Sequence, residues 1–511
     1  MAQRKIETIL NRFDAGIVND KRTPLSNACR VCTNFDIITT PYKLLPYYDS
    51  EGGNDSQSSN KLQNFILAND NGGDIALFGL GVKASATTAE IQQKDLTTGA
   101  ANDLDDAGWS TLTAAKAQSA SGAANFNLWV YYKKTGLAYY AKAGTTIGTF
   151  DPSLSANIDA SAHSLSYTNI AQGLVHSKDD ILYIPYDNKI AVNNNGSWTD
   201  AGLTLPSHLY ITSICEYGNY LAIACAPLSG IGNSVVYLWD RDITLSTVSE
   251  SIVWGPGVIK IIDTVEGILI GLSLIGSSSV SHVQKITAKY YDNKPEADLL
   301  FELVADAGTT PALPIAKQHI DNRLYFMMYI TLDGVLREGV WSIGRSSPNA
   351  PFALAHEHTP NNDTATTSGQ LRNFFIAGDY VFQSYLDNGT ETMSKTKSTF
   401  SRVYTSIYET VINPGMSIED RQTEKTLAGI AVKTEPLPSN AQIVVKYKVD
   451  SDSSWTTILT HNVDNDVRKD VLQAFKTGRD FQFRIESTQG AVLTSLRAVY
   501  KASDGDQLAK L

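Results

Sequence analysis

Short apolar runs, each followed by a tight turn and a second apolar run, recur from about residue 60 to residue 400. This pattern predicts β-hairpins, because Val, Ile, Tyr and Phe favour strands and Asn-Gly or Asp-Gly pairs supply the positive φ that tight turns need. The predicted turns lie at Thr135-Gly136, Asp187-Asn188, near Gly232, Asp292-Asn293, Asp333-Gly334 and Asn388-Gly389. Successive turns are about 50 residues apart, which indicates a repeated unit built from strands.

A strand repeat of this length is typical of a β-propeller, in which each unit forms one four-stranded blade. The run from Arg323 to Ile330 is apolar on both alternating faces, as expected for a strand buried between stacked blades. The sequence therefore predicts an all-β, β-propeller-like body of six or seven blades over residues 61–400. Stacked β-sandwiches stay open as an alternative, because the period is irregular.

The sequence pattern changes near residue 402, where longer predicted strands begin and apolar and polar residues alternate more regularly. In the run from Phe481 to Ile485, large apolar side chains alternate with Gln482 and Arg484, which predicts an antiparallel sheet with one solvated face. We therefore predict a jelly-roll-like β-sandwich over residues 401–501 and a tail over residues 502–511. Residues 1–60 are predicted to form an extended N-terminal arm and a polar linker.

Composition and charge narrow the function classes. The chain has 511 residues, of which 42% are hydrophobic and 19% charged, and its net charge is −11. An acidic chain does not hold nucleic acid by neutralising phosphates. The most apolar run, from Val258 to Ile275, is interrupted by Lys260, Asp263 and Glu266, so no membrane span is expected. The start of the chain lacks the apolar core of a secretory signal, which favours folding in a reducing cytoplasm.

The four cysteines raise the question of metal or redox chemistry. Cys29 and Cys32 have the spacing of half a zinc site or of a redox pair. A structural zinc site needs four ligands, and a thioredoxin-like pair needs a βαβ context; neither accompanies these residues. Cys215 and Cys225 lie in an apolar hairpin, where cysteine is usually a small buried hydrophobe. We expect four thiols without a chemical role.

Other candidate chemistry is weak. His356 and His358 flank Glu357 and would lie on one side of an extended strand, which can suit a metal ion. No third ligand is recognisable, and the favoured interpretation is a solvated loop. Propellers also host glycosidases, whose two carboxylates face each other, but the sequence does not show which carboxylates meet across blades. We therefore predict no catalytic, metal-binding or cofactor-binding residues and no cofactor.

The N-terminal segment resembles the start of many virion proteins of tailed bacteriophages. In those proteins a Phe-x-Gly-Gly-like element precedes an Asn-x-x-hydrophobic segment and then a turn marked by Pro or Gly. The matching residues are Phe13, Gly16, Asn34, Asp36 and Pro41. Ala15 departs from the usual pair of glycines. The segments Lys425–Ile458, Phe481–Ser487 and Leu493–Tyr500 resemble the terminal β-sandwich of phage tail proteins.

The order of arm, propeller-like body and sandwich is similar to that of tail hub or nozzle proteins of short-tailed phages. The resemblance implies a non-enzymatic virion protein, made in the host bacterial cytoplasm and placed in the phage tail. It implies a homo-oligomeric ring, with a hexamer favoured, that contacts portal, adaptor and tail fibre proteins. DNA would pass transiently during genome ejection without specific binding, and no membrane anchor is expected. The five arm residues would lie at the subunit interface.

Three other functions stay open. The chain could be a receptor-binding or fibre-docking tail protein, a propeller glycan-active enzyme such as a depolymerase, or a cellular propeller that acts as a binding module. Purified rings, attachment to host cells and clearance of a polysaccharide would distinguish them.

Overall fold

The computed structural model describes residues 5–13, 17, 29, 31–40, 42–47, 50–51, 60–70, 72–83, 88–96, 110–111, 118–119, 127–142, 145–154, 156–276, 282–289, 296–311, 316–332, 334–360, 371–378, 380–387, 390–397, 405–412, 424–450 and 452–502. These residues form 41 β-strands, and none of them lies in an α-helix. The all-β class predicted from the sequence is therefore confirmed.

The chain divides into two compact units. The sandwich unit consists of Met1–Ser50, Trp341–Asn362 and Lys397–Leu511, and the propeller unit consists of Glu51–Val340 and Asp363–Thr396. The predicted linear domain boundaries stay predictions, and the compact units draw on chain from both sides of them. The segment Trp341–Asn362, predicted to lie in the propeller body, is grouped with the sandwich unit.

The strands are numbered in chain order. The chain begins with β1 (Lys5–Leu10). Four short strands follow: β2 (Val31–Thr33), β3 (Phe35–Asp36), β4 (Leu45–Pro46) and β5 (Ser50–Glu51). The next thirteen are β6 (Asn60–Asn69), β7 (Ile75–Lys83), β8 (Thr88–Asp95), β9 (Ser110–Thr111), β10 (Gln118–Ser119), β11 (Trp129–Tyr132), β12 (Leu137–Lys142), β13 (Thr146–Asp151), β14 (Ala156–Ser164), β15 (Leu174–His176), β16 (Ile181–Tyr186), β17 (Lys189–Asn194) and β18 (Ser197–Thr204).

The central part of the chain continues with β19 (Leu209–Tyr217), β20 (Tyr220–Pro227), β21 (Asn233–Trp239), β22 (Glu250–Pro256), β23 (Val258–Val265), β24 (Ile268–Ile275), β25 (Val283–Lys289), β26 (Asp298–Val304), β27 (Lys317–Ile320), β28 (Arg323–Leu332) and β29 (Val335–Gly344). The last twelve are β30 (Ala353–His358), β31 (Leu371–Ala377), β32 (Tyr380–Asp387), β33 (Thr390–Lys397), β34 (Thr405–Ile412), β35 (Lys425–Thr434), β36 (Gln442–Val449), β37 (Thr456–His461), β38 (Arg468–Val471), β39 (Thr477–Gly478), β40 (Phe481–Thr488) and β41 (Leu493–Ala502).

Seven consecutive sheets make up the propeller unit. The first has the order β10-β8-β7-β6, and four more follow as β11–β14, β15–β18, β19–β22 and β23–β26. The sixth contains β27, β28 and β29 as far as Val340, which belong to a longer sheet, and the seventh has the order β31-β32-β33-β5. We call one strand of each blade its inner strand; in blade order these are β6, β11, β15, β19, β23, β27 and β31. Each inner strand contacts the next in this series, and β31 contacts β6 again. The described strands therefore form a closed ring, which is a β-propeller of seven blades.

The two ends of the propeller unit meet to close this ring. The last blade takes its outer strand, β5, from the start of the unit. The seventh and first blades also share a buried cluster that contains Phe65, Leu77, Phe382 and Met393. Because β5 pairs with β33, hydrogen bonds within this last blade join the start of the propeller unit to its end.

Blades pack against a neighbour on each face, which explains why strands of the propeller carry apolar residues on both faces. Trp129 lies in the cluster between the first and second blades and donates its indole N–H to the Phe78 carbonyl at 3.1 Å. In β28, Leu324 and Phe326 are buried on one face and Met327 on the other. The predicted turn at Thr135-Gly136 joins β11 to β12, and Gly136 has φ of 71°. Four of the predicted turns are at least partly described; those at 292–293 and 388–389 lie outside the described residues.

The sandwich unit packs two sheets. One has the order β30-β2-β34-β40-β36-β37, and the other has the order β1-β41-β35-β38, with β39 also paired to β35. Residues in β40 alternate between buried and partly exposed along its whole length, as predicted. Phe481 of one sheet meets Tyr500 of the other, with ring centroids 5.0 Å apart. Large apolar side chains from both inner faces thus form the core.

Candidate functional site

The N-terminal segment forms a central strand of the sandwich unit. In register, β2 pairs with β34 in antiparallel fashion, with Cys32 opposite Tyr408. On its other side Thr33 pairs with His356 of β30 in parallel fashion. The amide of Ile17 donates to the Leu354 carbonyl at 3.1 Å. The segment therefore completes a sheet by adding a strand, and it does so within its own chain.

Phe13 and Asn34, two residues of the predicted assembly arm, are buried in this unit. The Phe13 ring meets Tyr408 edge-on, with centroids 5.4 Å apart. Asn34 adopts φ of 60°, which Asn tolerates better than most residues. The backbone carbonyl of Asn34 accepts hydrogen bonds from the Tyr47 backbone amide at 2.9 Å and from the Ser406 hydroxyl at 3.1 Å. Both side chains thus serve the packing of this chain.

Asp36 has a local role in the described structure. Its carboxylate accepts hydrogen bonds from the amides of Ile38 at 3.2 Å and Thr39 at 2.8 Å, which closes an Asx-type turn. Gly16 and Pro41 lie outside the described residues. The assignment of the five arm residues to a subunit interface stays a prediction.

The His356–His358 segment is not a solvated loop, and that interpretation was wrong. All six residues of β30 are buried. The His356 ring stacks on Trp341 with centroids 4.7 Å apart and planes 27° apart, and Glu357 accepts a hydrogen bond from the Ser342 hydroxyl. The sequence signal for burial was the apolar run that precedes the histidines, which continues as one strand.

His358 is expected to make the sandwich unit sensitive to acid. Burial lowers the pKa of His358 from 6.5 to about 4, and Asp36 opposes this shift. An unfolded histidine binds its proton near pH 6.5, so stability present above that pH is lost as the pH falls towards 4. A shift of this size corresponds to about 3 kcal/mol.

The measurement is the unfolding free energy in urea between pH 7 and pH 4, in wild type and in His358→Gln. The variant should have a flatter pH profile, because Gln does not titrate. Equal slopes in the two proteins over this range would contradict the expected role of His358.

The cysteines are buried thiols. All four are reduced and buried. Burial, followed by the neighbouring Cys29, raises the pKa of the Cys32 thiol well above its ordinary value, and burial also raises the pKa values of Cys215 and Cys225. A raised pKa leaves little thiolate, which is the reactive form. Among the residues that the structure describes, no three His, Cys, Asp or Glu side chains are grouped so that they could hold a metal ion.

A cavity of about 350 Å³ opens in the propeller unit. Its wall is formed where consecutive inner strands begin, just before β11 and β15 and within the first residues of β19 and β23. The lining residues are Asn127, Asn169, Ile170, Ala171, Tyr210, Ile211, Thr212, Leu228 and Lys260. The cavity therefore lies at one end of the ring of inner strands.

Backbone bulges supply two of these lining residues. The pairing of β19 with β20 shifts register between Ile211 and Ser213, so Thr212 is the extra residue. The pairing of β23 with β24 shifts between Ile259 and Ile261, so Lys260 is the extra residue. A bulge re-aims a side chain that regular pairing would place elsewhere.

Lys260 is the one basic residue among the described lining residues. Burial lowers the pKa of Lys260 and raises the pKa of Tyr210. None of the nine described lining residues is Asp or Glu. A glycosidase uses two carboxylates at its reacting bond, and none is found among these nine residues.

In the part of the chain that the structure describes, no helix is long and apolar enough to cross a membrane.

No protein-family model and no curated protein matches the chain. Among solved structures, the β-propeller domain of Cps50 (Swd1) from Myceliophteria thermophila is 9% identical, with a TM-score of 0.39, covering 66% of this chain and 99% of that domain. The WD40 domain of Toxoplasma gondii coronin is 10% identical, with a TM-score of 0.39, covering 72% and 88%. An exo-β-1,3-galactanase of Phanerochaete chrysosporium is 10% identical, with a TM-score of 0.28, covering 86% and 100%. Similarities this low carry no argument about activity.

Proposed function

We propose that this chain is a non-enzymatic structural protein of a tailed-bacteriophage virion, a tail hub or nozzle subunit that works within a homo-oligomeric ring. The ring would be hexameric and would contact portal, adaptor and tail fibre proteins. DNA would pass it during genome ejection without specific binding. The resemblance of the N-terminal and C-terminal segments to virion proteins is the origin of this proposal.

The insertion of β2 between β30 and β34 is the observation that supports it best. A strand joined to its sheet by a long connection can be taken from the same chain or exchanged with a neighbouring copy, because the hydrogen bonds are identical. Such exchange links subunits without a separate interface. The propeller unit, described by itself, is a closed ring of blades.

Purified full-length protein is expected to form rings of about six subunits, alone or on a portal–adaptor complex. Light scattering gives the mass, and negative-stain imaging gives the symmetry and the central hole. A chain that stays monomeric and does not join the portal–adaptor complex would contradict the proposal.

A disulfide trap tests strand exchange within that assembly. Thr33 and Ile407 face each other in register across β2 and β34, and both are partly exposed. The double variant Thr33→Cys with Ile407→Cys should form a bond between chains in rings and within a chain in monomers. Non-reducing gels separate the two results, and Thr33→Cys alone is the matched control. Bonds confined to single chains in intact rings would show that this strand does not link subunits.

A glycan-active enzyme is the alternative with a direct test. Purified protein would clear a host polysaccharide and would lose that activity when one carboxylate is neutralised. The absence of Asp and Glu among the described residues that line the cavity favours the non-enzymatic proposal. A receptor-binding or fibre-docking protein would instead attach to host cells as purified protein.

A further inference from the structure

The cavity at the start of the inner strands carries chemistry that the assembly role does not use. Lys260 is its one lysine, and among the described residues its ammonium makes no ion pair or hydrogen bond. By contrast, Lys317, also on an inner strand, pairs with Asp263 at 3.0 Å. Lys260 is half-buried, and a half-buried ammonium that lines a cavity without a counter-ion can pair with an anionic group of a ligand.

Two backbone bulges bring polar side chains to this cavity. The bulge in β23 turns Lys260 out of the regular pairing, and the bulge in β19 does the same for Thr212. Both residues line one cavity. Bulges interrupt a ladder of hydrogen bonds and are concentrated next to sites that bind ligands.

The remaining lining groups match a hydroxylated ligand with an apolar face. Asn127 donates its side-chain N–H to the Ile170 carbonyl at 3.2 Å, and an amide side chain also carries an acceptor oxygen. The side chains of Asn169 and Tyr210 add an amide and a phenol, while Ile211 and Leu228 are apolar. Amides and phenols hydrogen-bond hydroxyls, and apolar groups cover the C–H face of a sugar ring.

We propose that this cavity binds an acidic sugar residue, a hexose unit that carries one carboxylate, with Lys260 paired to the carboxylate and Asn169 bonded to ring hydroxyls. A single cation balances a single carboxylate, whereas phosphate sites usually offer several donors from backbone amides or from Arg and Lys together. The cavity volume of about 350 Å³ is at the small end of ligand pockets and fits one or two sugar units. This inference does not depend on ring formation.

Calorimetric titration of the full chain tests the proposal. The probes are D-glucuronate and D-galacturonate, with glucose, galactose, acetate and inorganic phosphate as comparisons at equal ionic strength. A uronate is expected to bind at least tenfold more tightly than its neutral hexose and than acetate or phosphate. Binding of acetate or phosphate as tight as that of both uronates would overturn the proposal, and so would no binding of either uronate.

Two variants assign the binding to this cavity. Lys260→Met keeps the side-chain length but removes the charge, and it is expected to weaken uronate binding at least tenfold. Asn169→Asp keeps the shape and adds a negative charge that competes for Lys260, so it should weaken binding similarly. Uronate affinity unchanged in both variants would overturn the assignment.

The controls separate binding from folding. Lys134→Met removes an exposed lysine whose amino group bonds to the Asn194 side chain in the turn at the opposite ends of the strands, and it should leave affinity within twofold of wild type. Lys260→Met should unfold close to the temperature of wild type, because a half-buried lysine without an ion pair is replaced by an apolar chain of similar shape. A Lys260→Met protein that unfolds well below wild type would instead mark Lys260 as a structural residue.

Discussion

Deleting residues 1–36 is expected to prevent the sandwich unit from folding. The deletion removes several buried apolar side chains, among them these four: Phe13, Ile17, Val31 and Phe35. Burying each is worth about 1.5–3 kcal/mol, so together they contribute roughly 6–12 kcal/mol. A whole domain is stable by only about 5–15 kcal/mol. The deletion also leaves the edges of β30 and β34 without the strand that pairs with them.

Limited proteolysis with peptide mapping measures this result. Residues 405–502 should become sensitive in the truncated chain, while the propeller strands β6–β26 should stay protected. A synthetic peptide of residues 1–50 should restore protection, because the added strand makes the same hydrogen bonds. Phe13→Ala is the graded control, with an expected loss of about 3–5 kcal/mol. Full protection of residues 405–502 without the peptide would contradict this role of the segment.

Replacing Lys317 with Ala is expected to destabilise the propeller unit by about 3–5 kcal/mol. The Lys317 ammonium pairs with Asp263 at 3.0 Å and donates to the carbonyls of Ile214 and Ile262. These partners lie on β19 and β23, so one side chain from β27 ties together three neighbouring inner strands. The two charged side chains are only 16% and 14% exposed, so removing the lysine leaves a poorly hydrated carboxylate.

Urea unfolding followed by tryptophan fluorescence measures the loss. Lys285→Ala is the matched control in the same unit, because its pair with Glu302 is more exposed and longer, at 3.3 Å. That control should cost less than about 1 kcal/mol. The double variant Lys317→Met with Asp263→Leu should lose less than Lys317→Ala, since no unpaired charge remains. A loss as small as that of Lys285→Ala would show that the buried pair contributes little.

The four predicted turns that the structure describes at least in part followed from local sequence. Alternation in β40 and the two-sided apolar pattern in β28 report which faces are buried, because successive side chains of a strand point to opposite faces. The cysteines of β19 and β20 were recognisable as buried thiols for the same reason. These features depend only on residues a few positions apart, so they can be recognised from a single sequence.

Tertiary structure alone decided which strands meet. Asn34 bonds to the Thr405 carbonyl across 371 positions of the chain, and no local pattern specifies such a partner. The number of blades depends on the contact of β31 with β6, which closes the ring at its two ends. Along the sequence, Lys260 only interrupted an apolar run. It became a candidate ligand-binding residue because a bulge and the ring of inner strands bring it to one cavity with residues from three other blade starts.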